Sequence, residues 1–181
     1  ATDAGNTYLV VESGNGIIAS GNELQSYSLS NSVQANFHTP DTTRPNVVED
    51  GFELFDLNAG KFSLRFNEPI DTDSINVPGT LLFQHNVEVS LSSNSYDVQA
   101  LSCDPTDCSN GVSIIFTLPQ EELNMLKLAP RICTSASDCW LTITSPGQFL
   151  SDMAGNNIVE LSNGERSSQR YVVSFIDDTT G

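Results

Sequence analysis

At 181 residues the chain can hold one sizeable hydrophobic core with an appended fragment. Its 7 Lys and Arg stand against 23 Asp and Glu, a formal net charge of −16. That balance disfavours nucleic acid and anionic membrane surfaces, both bound through basic side chains, and suits a surface whose carboxylates collect divalent cations. No run approaches the roughly 18 apolar residues of a membrane span. Ala1-Thr2-Asp3 leads straight into polar sequence without a signal peptide, so a secreted protein is expected to be represented here by a mature or internal fragment.

In chain order the pattern is strand after strand. Residues 1–40 carry strand signals at 7–11, 16–19, 24–29 and 33–37. Three or four strands without an opposing sheet bury a face poorly. Residues 1–40 are therefore expected to be the C-terminal strands of a preceding module, or an N-terminal segment exchanged with a neighbour. Pro40 and Pro45 then flank a small polar run, Asp41-Thr42-Thr43-Arg44, which reads as a stiff, extended connector.

The main module is expected over 41–181. Apolar and polar residues alternate in Lys61-Phe62-Ser63-Leu64-Arg65-Phe66, which places Phe62, Leu64 and Phe66 on one buried face and ends a strand at Phe66, before Pro69. The same period appears at 87–91, at 140–144 and, less strictly, at 171–175, while Val112-Ser113-Ile114-Ile115-Phe116 reads as a more central strand. Turn signals separate them at Asn58-Ala59-Gly60, Val77-Pro78-Gly79, Ser109-Asn110-Gly111, Ser145-Pro146-Gly147 and Ser162-Asn163-Gly164. Residues 119–127 read as one short helix, with Pro119 at its start, Glu121 and Glu122 near its positive end and Lys127 near its negative end. Leu123 and Leu126, with Met125, are expected to face the strands. The fold class is all-β, an antiparallel β-sandwich with Greek-key connections and one short helix.

Four cysteines fall in two close pairs, Cys103/Cys108 and Cys133/Cys139. Three connectivities are open to them, and the local one is favoured because each pair brackets a turn-like segment. Closing such short loops stabilises by about 2 kcal/mol each in the chain-entropy model. Zinc is the competing reading, against which the spacings are wider than C-x₂-C and no His lies nearby. Disulfides imply an oxidising compartment, so the expected location is extracellular or at the cell surface.

The chain also echoes itself. Ala4-Gly5-Asn6 recurs as Ala154-Gly155-Asn156, and Asp41-Thr42-Thr43 as Asp178-Thr179-Thr180, with an aromatic residue, Phe37 or Phe175, shortly before each second motif. Such a chain is either a window on a tandem array or a protomer whose first segment belongs to a neighbour. In sequence, residues 41–181 resemble a bacterial-type immunoglobulin-like domain, of the class repeated in surface-layer and adhesion proteins. The matching residues are Asp41-Thr42-Thr43-Arg44-Pro45, then Phe66-Asn67-Glu68-Pro69-Ile70-Asp71 with Ser74, and Leu150-Ser151-Asp152-Met153-Ala154-Gly155-Asn156 ahead of the strand ending at Phe175. Residues 1–40 resemble the end of such a domain. The module is longer than is usual for that class, and its two cysteine loops lie outside the common pattern. The resemblance implies an immunoglobulin-like sandwich acting as a non-enzymatic spacer or adhesive domain, with no shared catalytic residues to carry over.

Glu68-Pro69-Ile70-Asp71 with Asp73 reads structurally as a strand end whose aspartates cap a turn. Its functional reading is a calcium site on Glu68, Asp71 and Asp73, because hard cations take several carboxylate and carbonyl oxygens. Asp152 and Asn156 bracket a tight loop with Gly155 expected at positive φ, which is either an Asx-stabilised turn or a further metal contributor. Asp177 and Asp178 sit at the outgoing junction, where a cation would stiffen contact with a following module. The candidate calcium ligands are therefore Glu68, Asp71, Asp73, Asp152 and Asp178, although no EF-hand string is present. Asp104, Asp107 and Asp138, around the cysteine loops, read as solvated turn residues.

Neither His38 nor His85 lies in a nucleophile motif, and the chain has no Gly-x-Ser-x-Gly, His-Glu-x-x-His or phosphate loop, so no catalytic residue is assigned and no enzyme is expected. Trp140, next to Cys139, reads as core packing against the disulfide or as a sugar-stacking platform. No Asn-x-Ser/Thr sequon occurs, which leaves O-glycosylation of clusters such as 90–95. Two functions follow. One is a structural repeat whose partners are neighbouring copies of the module, in a tandem array or homopolymer. The other is a calcium-assisted adhesion module for glycans or a surface protein, which calls for an exposed aromatic such as Trp140 or Tyr96.

Overall fold

The structure is a computed structural model, and it describes residues 4–10, 18–19, 22–23, 30, 32–77, 80–85, 95–103, 108–144, 149–161 and 170–179. The strand signals at 24–29 and 87–91, Asp104, Asp107 and the turns at 145–147 and 162–164 lie outside them. The chain divides into two units, Ala1–Thr42 and Thr43–Gly181.

In the first unit Ala4–Asn6 form a single 3-10 turn. Strand β1 (Tyr8–Leu9) pairs antiparallel with β4 (Val33–Gln34), and β2 (Ile18–Ala19) pairs with β3 (Asn22–Glu23). Ala35 N–H donates to Thr7 O at 2.9 Å, and the Gln34 side-chain amide donates to Gly5 O at 3.1 Å. Tyr8, Leu9, Val10, Val33 and Phe37 are all exposed. The β1–β4 ladder thus satisfies backbone groups but buries little apolar surface.

The second unit is a β-sandwich. One sheet contains β5 (Val47–Asp56), β6 (Lys61–Asp71), β9 (Ser102–Cys103), β10 (Gly111–Thr117) and β14 (Ser174–Ile176), in the order β14-β5-β6-β10-β9, with β12 (Ser151–Asp152) added to the end of β6. The other contains β7 (Leu81–Gln84), β8 (Ser95–Asp97), β11 (Trp140–Ile143) and β13 (Arg170–Tyr171), in the order β13-β11-β7-β8. Phe83 of the second sheet inserts among Phe52, Phe55 and Phe62 of the first, at ring-centroid distances of 6.1, 5.2 and 5.4 Å. Phe116 stacks on Phe62 at 5.1 Å and extends the cluster toward Phe149. All six rings are fully buried.

Strand β5 was not legible as an alternating run, and its register explains why. Its pairing with β6 shifts between Val47 and Phe52 and again between Phe52 and Leu54, so Phe52 and Phe55 both face the core although they are three residues apart. At the first irregularity a Cβ on Gly51 would lie 2.5 Å from Arg65 O, which only glycine avoids. Phe62, Leu64 and Phe66 are buried together as expected, but β6 continues to Asp71 and does not stop at Phe66. The cause lies in β10, whose pairing jumps from Ser113↔Arg65 to Gly111↔Ile70. Pro69 falls within that gap in the ladder, so the strand passes through it.

The last strand changes sheets. Tyr171 pairs with Trp140 in one sheet, Val172 turns into the core, and Phe175 pairs with Phe55 in the other, parallel to β5. Helix α1 (Gln120–Leu128) starts after Pro119 and buries Leu123 and Leu126, while Met125 is 58% exposed. Glu122 is buried as well. Its Oε1 accepts the Tyr96 hydroxyl at 3.0 Å and Gln99 N–H at 2.8 Å, which ties the helix to β8. Both disulfides are local, Cys103–Cys108 and Cys133–Cys139.

Two outcomes test this packing. Phe83→Ala should cost roughly 3–5 kcal/mol, read as a lower urea midpoint, whereas Met125→Ala should stay within about 0.5 kcal/mol. Burial first, then the Glu122 hydrogen bond, then the negative charges of Glu122 and Asp97, hold the Tyr96 phenol above its ordinary range. A raised folded pKa gives stability that is present below the ordinary tyrosine value and is lost as pH rises above it. Alkaline unfolding should therefore be less steep in Tyr96→Phe than in the parent protein.

Candidate functional site

The expected calcium ligands divide between the two ends of the second unit. At the entry end, β12 pairs with the far end of β6, Ser151 opposite Asp71 and Asp152 opposite Ile70. This register brings the Glu68 and Asp152 carboxylates within 4.8 Å of each other. Asp71 has another task, as its Oδ1 accepts Asp73 N–H at 3.1 Å and caps the 3-10 turn Thr72–Ser74. Asp73 is exposed on that turn.

Asp152 is 3% exposed. Its Oδ1 accepts the N–H groups of Ala154 and Asn156, both at 2.8 Å, and its Oδ2 accepts the Asn156 side-chain amide at 2.7 Å. Gly155 has φ +86°, the left-handed conformation this turn requires. A carboxylate offers about four lone-pair sites, so three donors leave Asp152 little capacity for a cation. Together with Glu68 it supplies only part of the six to eight oxygens that calcium takes. The local chemistry is that of an Asx-stabilised turn with the Glu68 carboxylate beside it.

The same end fixes the incoming chain. Arg44 donates from Nε to Asn157 O at 2.8 Å and from Nη2 to Ile158 O at 2.6 Å. Val159 N–H donates to Pro45 O at 2.8 Å, and Asn46 and Asn67 exchange two bonds. At the exit end, Asp178 forms an ion pair with Lys127 at 2.8 Å. Asn58 donates to Asp177 O and accepts Thr179 N–H, at 2.8 and 2.9 Å. A groove of about 160 Å³ lies beside this clamp, lined by Leu57, Leu126, Ile132 and Asp177 among others. It is smaller than the roughly 300 Å³ at which small-molecule pockets begin.

The disulfide loop corrects one expectation. Asp138 is not a solvated turn residue but is 9% exposed. It accepts Ser135 N–H at 2.7 Å and the Thr134 hydroxyl, closing a capping box on the 3-10 turn Ala136–Asp138. Arg131 and Cys133 stand at φ +68° and +50°. Trp140 is only half-buried. Its Nε1 donates to Ser137 O at 3.2 Å and its ring meets that of Tyr171 at 5.6 Å, so the two form a cross-strand aromatic pair between β11 and β13. Tyr96 is instead held by Glu122.

Sequence reasoning missed Arg44, Asn58, Lys127 and Arg170 as braces. Arg170 donates from Nε to Val47 O and Val48 O at 3.1 and 2.9 Å, and burial pulls its guanidinium below its ordinary pKa, against the raising influence of Glu49 and Asp50. Their partners are backbone groups and one carboxylate more than 50 positions away, and no local pattern announces them. The signal for Arg44 was its place at the end of the connector, next to Pro45.

Asp152→Ala should destabilise the protein by about 2 kcal/mol, since it leaves backbone donors of the turn without their charged acceptor. Asp73→Ala should be near-neutral, and urea midpoints separate the two. No family model, curated protein or solved structure matches this chain.

Proposed function

We propose that the chain is an extracellular structural repeat with an immunoglobulin-like fold, part of a fibrous or adhesive surface protein whose modules join head to tail. The observation that carries this reading is the strand order. With β5 lettered A, β6 B, β7 C, β8 C′, β9 D, β10 E, β11 F and β13/β14 G, the sheets run A-B-E-D and C′-C-F-G, an order that supports the immunoglobulin-like reading. Strand G leaves its sheet to lie parallel to A.

The internal echo supports the array. The Ala-Gly-Asn motif opens a turn followed by short ladders in both units. In the second unit that tail buries Ile158, Leu161 and Val172, whereas Tyr8, Leu9 and Val33 of the first are exposed. The contrast supports reading residues 1–40 as the closing tail of a preceding module. The two disulfides indicate an oxidising environment, which is where a surface array would be.

A second reading, a calcium-assisted adhesion module for glycans or proteins, draws on the Glu68–Asp152 pair and the Trp140–Tyr171 pair. Imaging native material by electron microscopy with and without EDTA tests both. Regular filaments or fibres that persist in EDTA are the expected result, and dispersed particles in both conditions would retire the array. Bound calcium would stabilise the fold by about 2.7 kcal/mol at a hundredfold excess over its dissociation constant. A melting temperature unchanged by calcium would remove the metal from the second reading.

A further inference from the structure

We infer that Asn110 is a self-modification site, at which the neighbouring Gly111 nitrogen converts the side-chain amide into a carboxylate with loss of ammonia. Ser109-Asn110-Gly111 reads in sequence as a turn, and neither reading of the protein's function makes use of it. The reaction needs no neighbouring copy and no metal.

A turn glycine ordinarily supplies positive φ or room for a close approach. Gly111 supplies neither. Among the described glycines positive φ is found at Gly60 and Gly155, and a Cβ on Gly111 would meet only Ser109 O, at an ordinary 3.7 Å. What glycine does offer here is an unhindered main-chain nitrogen beside an asparagine side chain, held there by the chain itself at high effective concentration.

The amide is prepared for attack from the other side. Asn110 is exposed, yet its Oδ1 accepts two bonds from Thr72, from the N–H at 3.0 Å and from the hydroxyl at 2.9 Å. Thr72 opens the 3-10 turn Thr72–Ser74, which Asp71 caps, so both donors are held in place. Two donors on one carbonyl oxygen withdraw charge from its carbon and stabilise the oxyanion that forms when that carbon is attacked. They engage Oδ1 and leave Nδ2 as the group to depart.

In the reaction Gly111 N attacks Asn110 Cγ and gives up its proton to solvent. The new N–Cγ bond closes a cyclic imide, the Cγ–Nδ2 bond breaks, and ammonia leaves with a proton from water. Water then opens the imide at either carbonyl, leaving aspartate at position 110 in a normal or a β-linked peptide bond. The fold accommodates both products. A carboxylate at 110 keeps both Thr72 donors, now in charge-assisted bonds. The β-linked product lengthens the main chain beside the point where the β10–β6 ladder already jumps, between Gly111 and Ser113. Negative charge is thereby gained at the entry end of the unit, next to the turn that carries Asp71 and Asp73.

The test incubates the full chain at neutral pH, once folded and once unfolded in guanidinium with its disulfides reduced. Peptide mass spectrometry follows the amide-to-acid change at Asn110. The expected result is a rate several-fold higher in the folded chain, because unfolding removes Thr72 and keeps the Asn110-Gly111 sequence. Thr72→Val, which removes the hydroxyl and retains the N–H, should slow the folded rate. It should leave the other two Asn-Gly pairs, Asn15-Gly16 and Asn163-Gly164, unchanged, so that the loss is local to the Thr72 contact. Gly111→Ala should slow the reaction in both states at an unchanged urea midpoint. A folded chain that reacts no faster than the unfolded one would make Thr72 a tether on the amide and overturn the proposal. Indifference to Thr72→Val, or a midpoint lowered by Gly111→Ala, would overturn it too.

Discussion

The sandwich depends on one contact, Phe83 seated among Phe52, Phe55 and Phe62. Each sheet has one apolar face, and neither is stable until that face is covered. Phe83 is the largest side chain that the four-stranded sheet sends across, and the three rings that receive it come from two adjacent strands. Its edge-on approach to Phe62 and offset stacking with Phe55 suit the ring quadrupoles, so the contact sets the lateral alignment of the layers as well as burying area. The bulges in β5 serve this contact. Without the second register shift, between Phe52 and Leu54, Phe52 and Phe55 would point to opposite faces and Phe83 would lose one wall of its site.

That alignment determines what the last strand can do. With the layers fixed, the chain leaving β11 pairs Tyr171 in one sheet, buries Val172 between them and pairs Phe175 in the other. A strand bonded to both sheets closes the edge between them, where an open edge would invite pairing with another chain. The alternating run at 171–175 therefore reads correctly as extended chain, yet the switch of partners within it is a property of the assembled layers.

What the sequence made legible follows the same division between local and assembled. The buried face of Phe62, Leu64 and Phe66, the helix after Pro119, the local disulfides and the left-handed Gly155 each depend on a few neighbouring residues, and each was visible. β5 was hidden by its bulges, and β7 by a Leu-Leu-Phe-Gln run too short to show a period. Glu122 looked like a favourable charge on the first turn of a helix. Its burial came from Tyr96 and Gln99, more than 20 residues upstream. Asp138 misled for the same reason, because composition near a cysteine loop suggests solvent while the capping box turns the carboxylate inward. At the candidate site, Glu68 and Asp152 were both singled out, but their proximity is produced by the β6–β12 pairing, and no spacing rule encodes it.

The net charge of −16 also takes on a different meaning once the acids are placed. Asp56, Asp71, Asp138 and Asp152 each accept backbone N–H groups from within four residues, so they serve as turn-formers whose charge comes with the geometry. The seven basic residues are the scarcer resource, and four of them make the following contacts. Arg65 pairs with Glu53 across two strands, whereas Arg44 and Arg170 address backbone carbonyls, and Lys127 holds Asp178. A charge-assisted bond to a carbonyl needs no opposing carboxylate. Three of these four cations act on the segments by which the chain enters and leaves the sandwich.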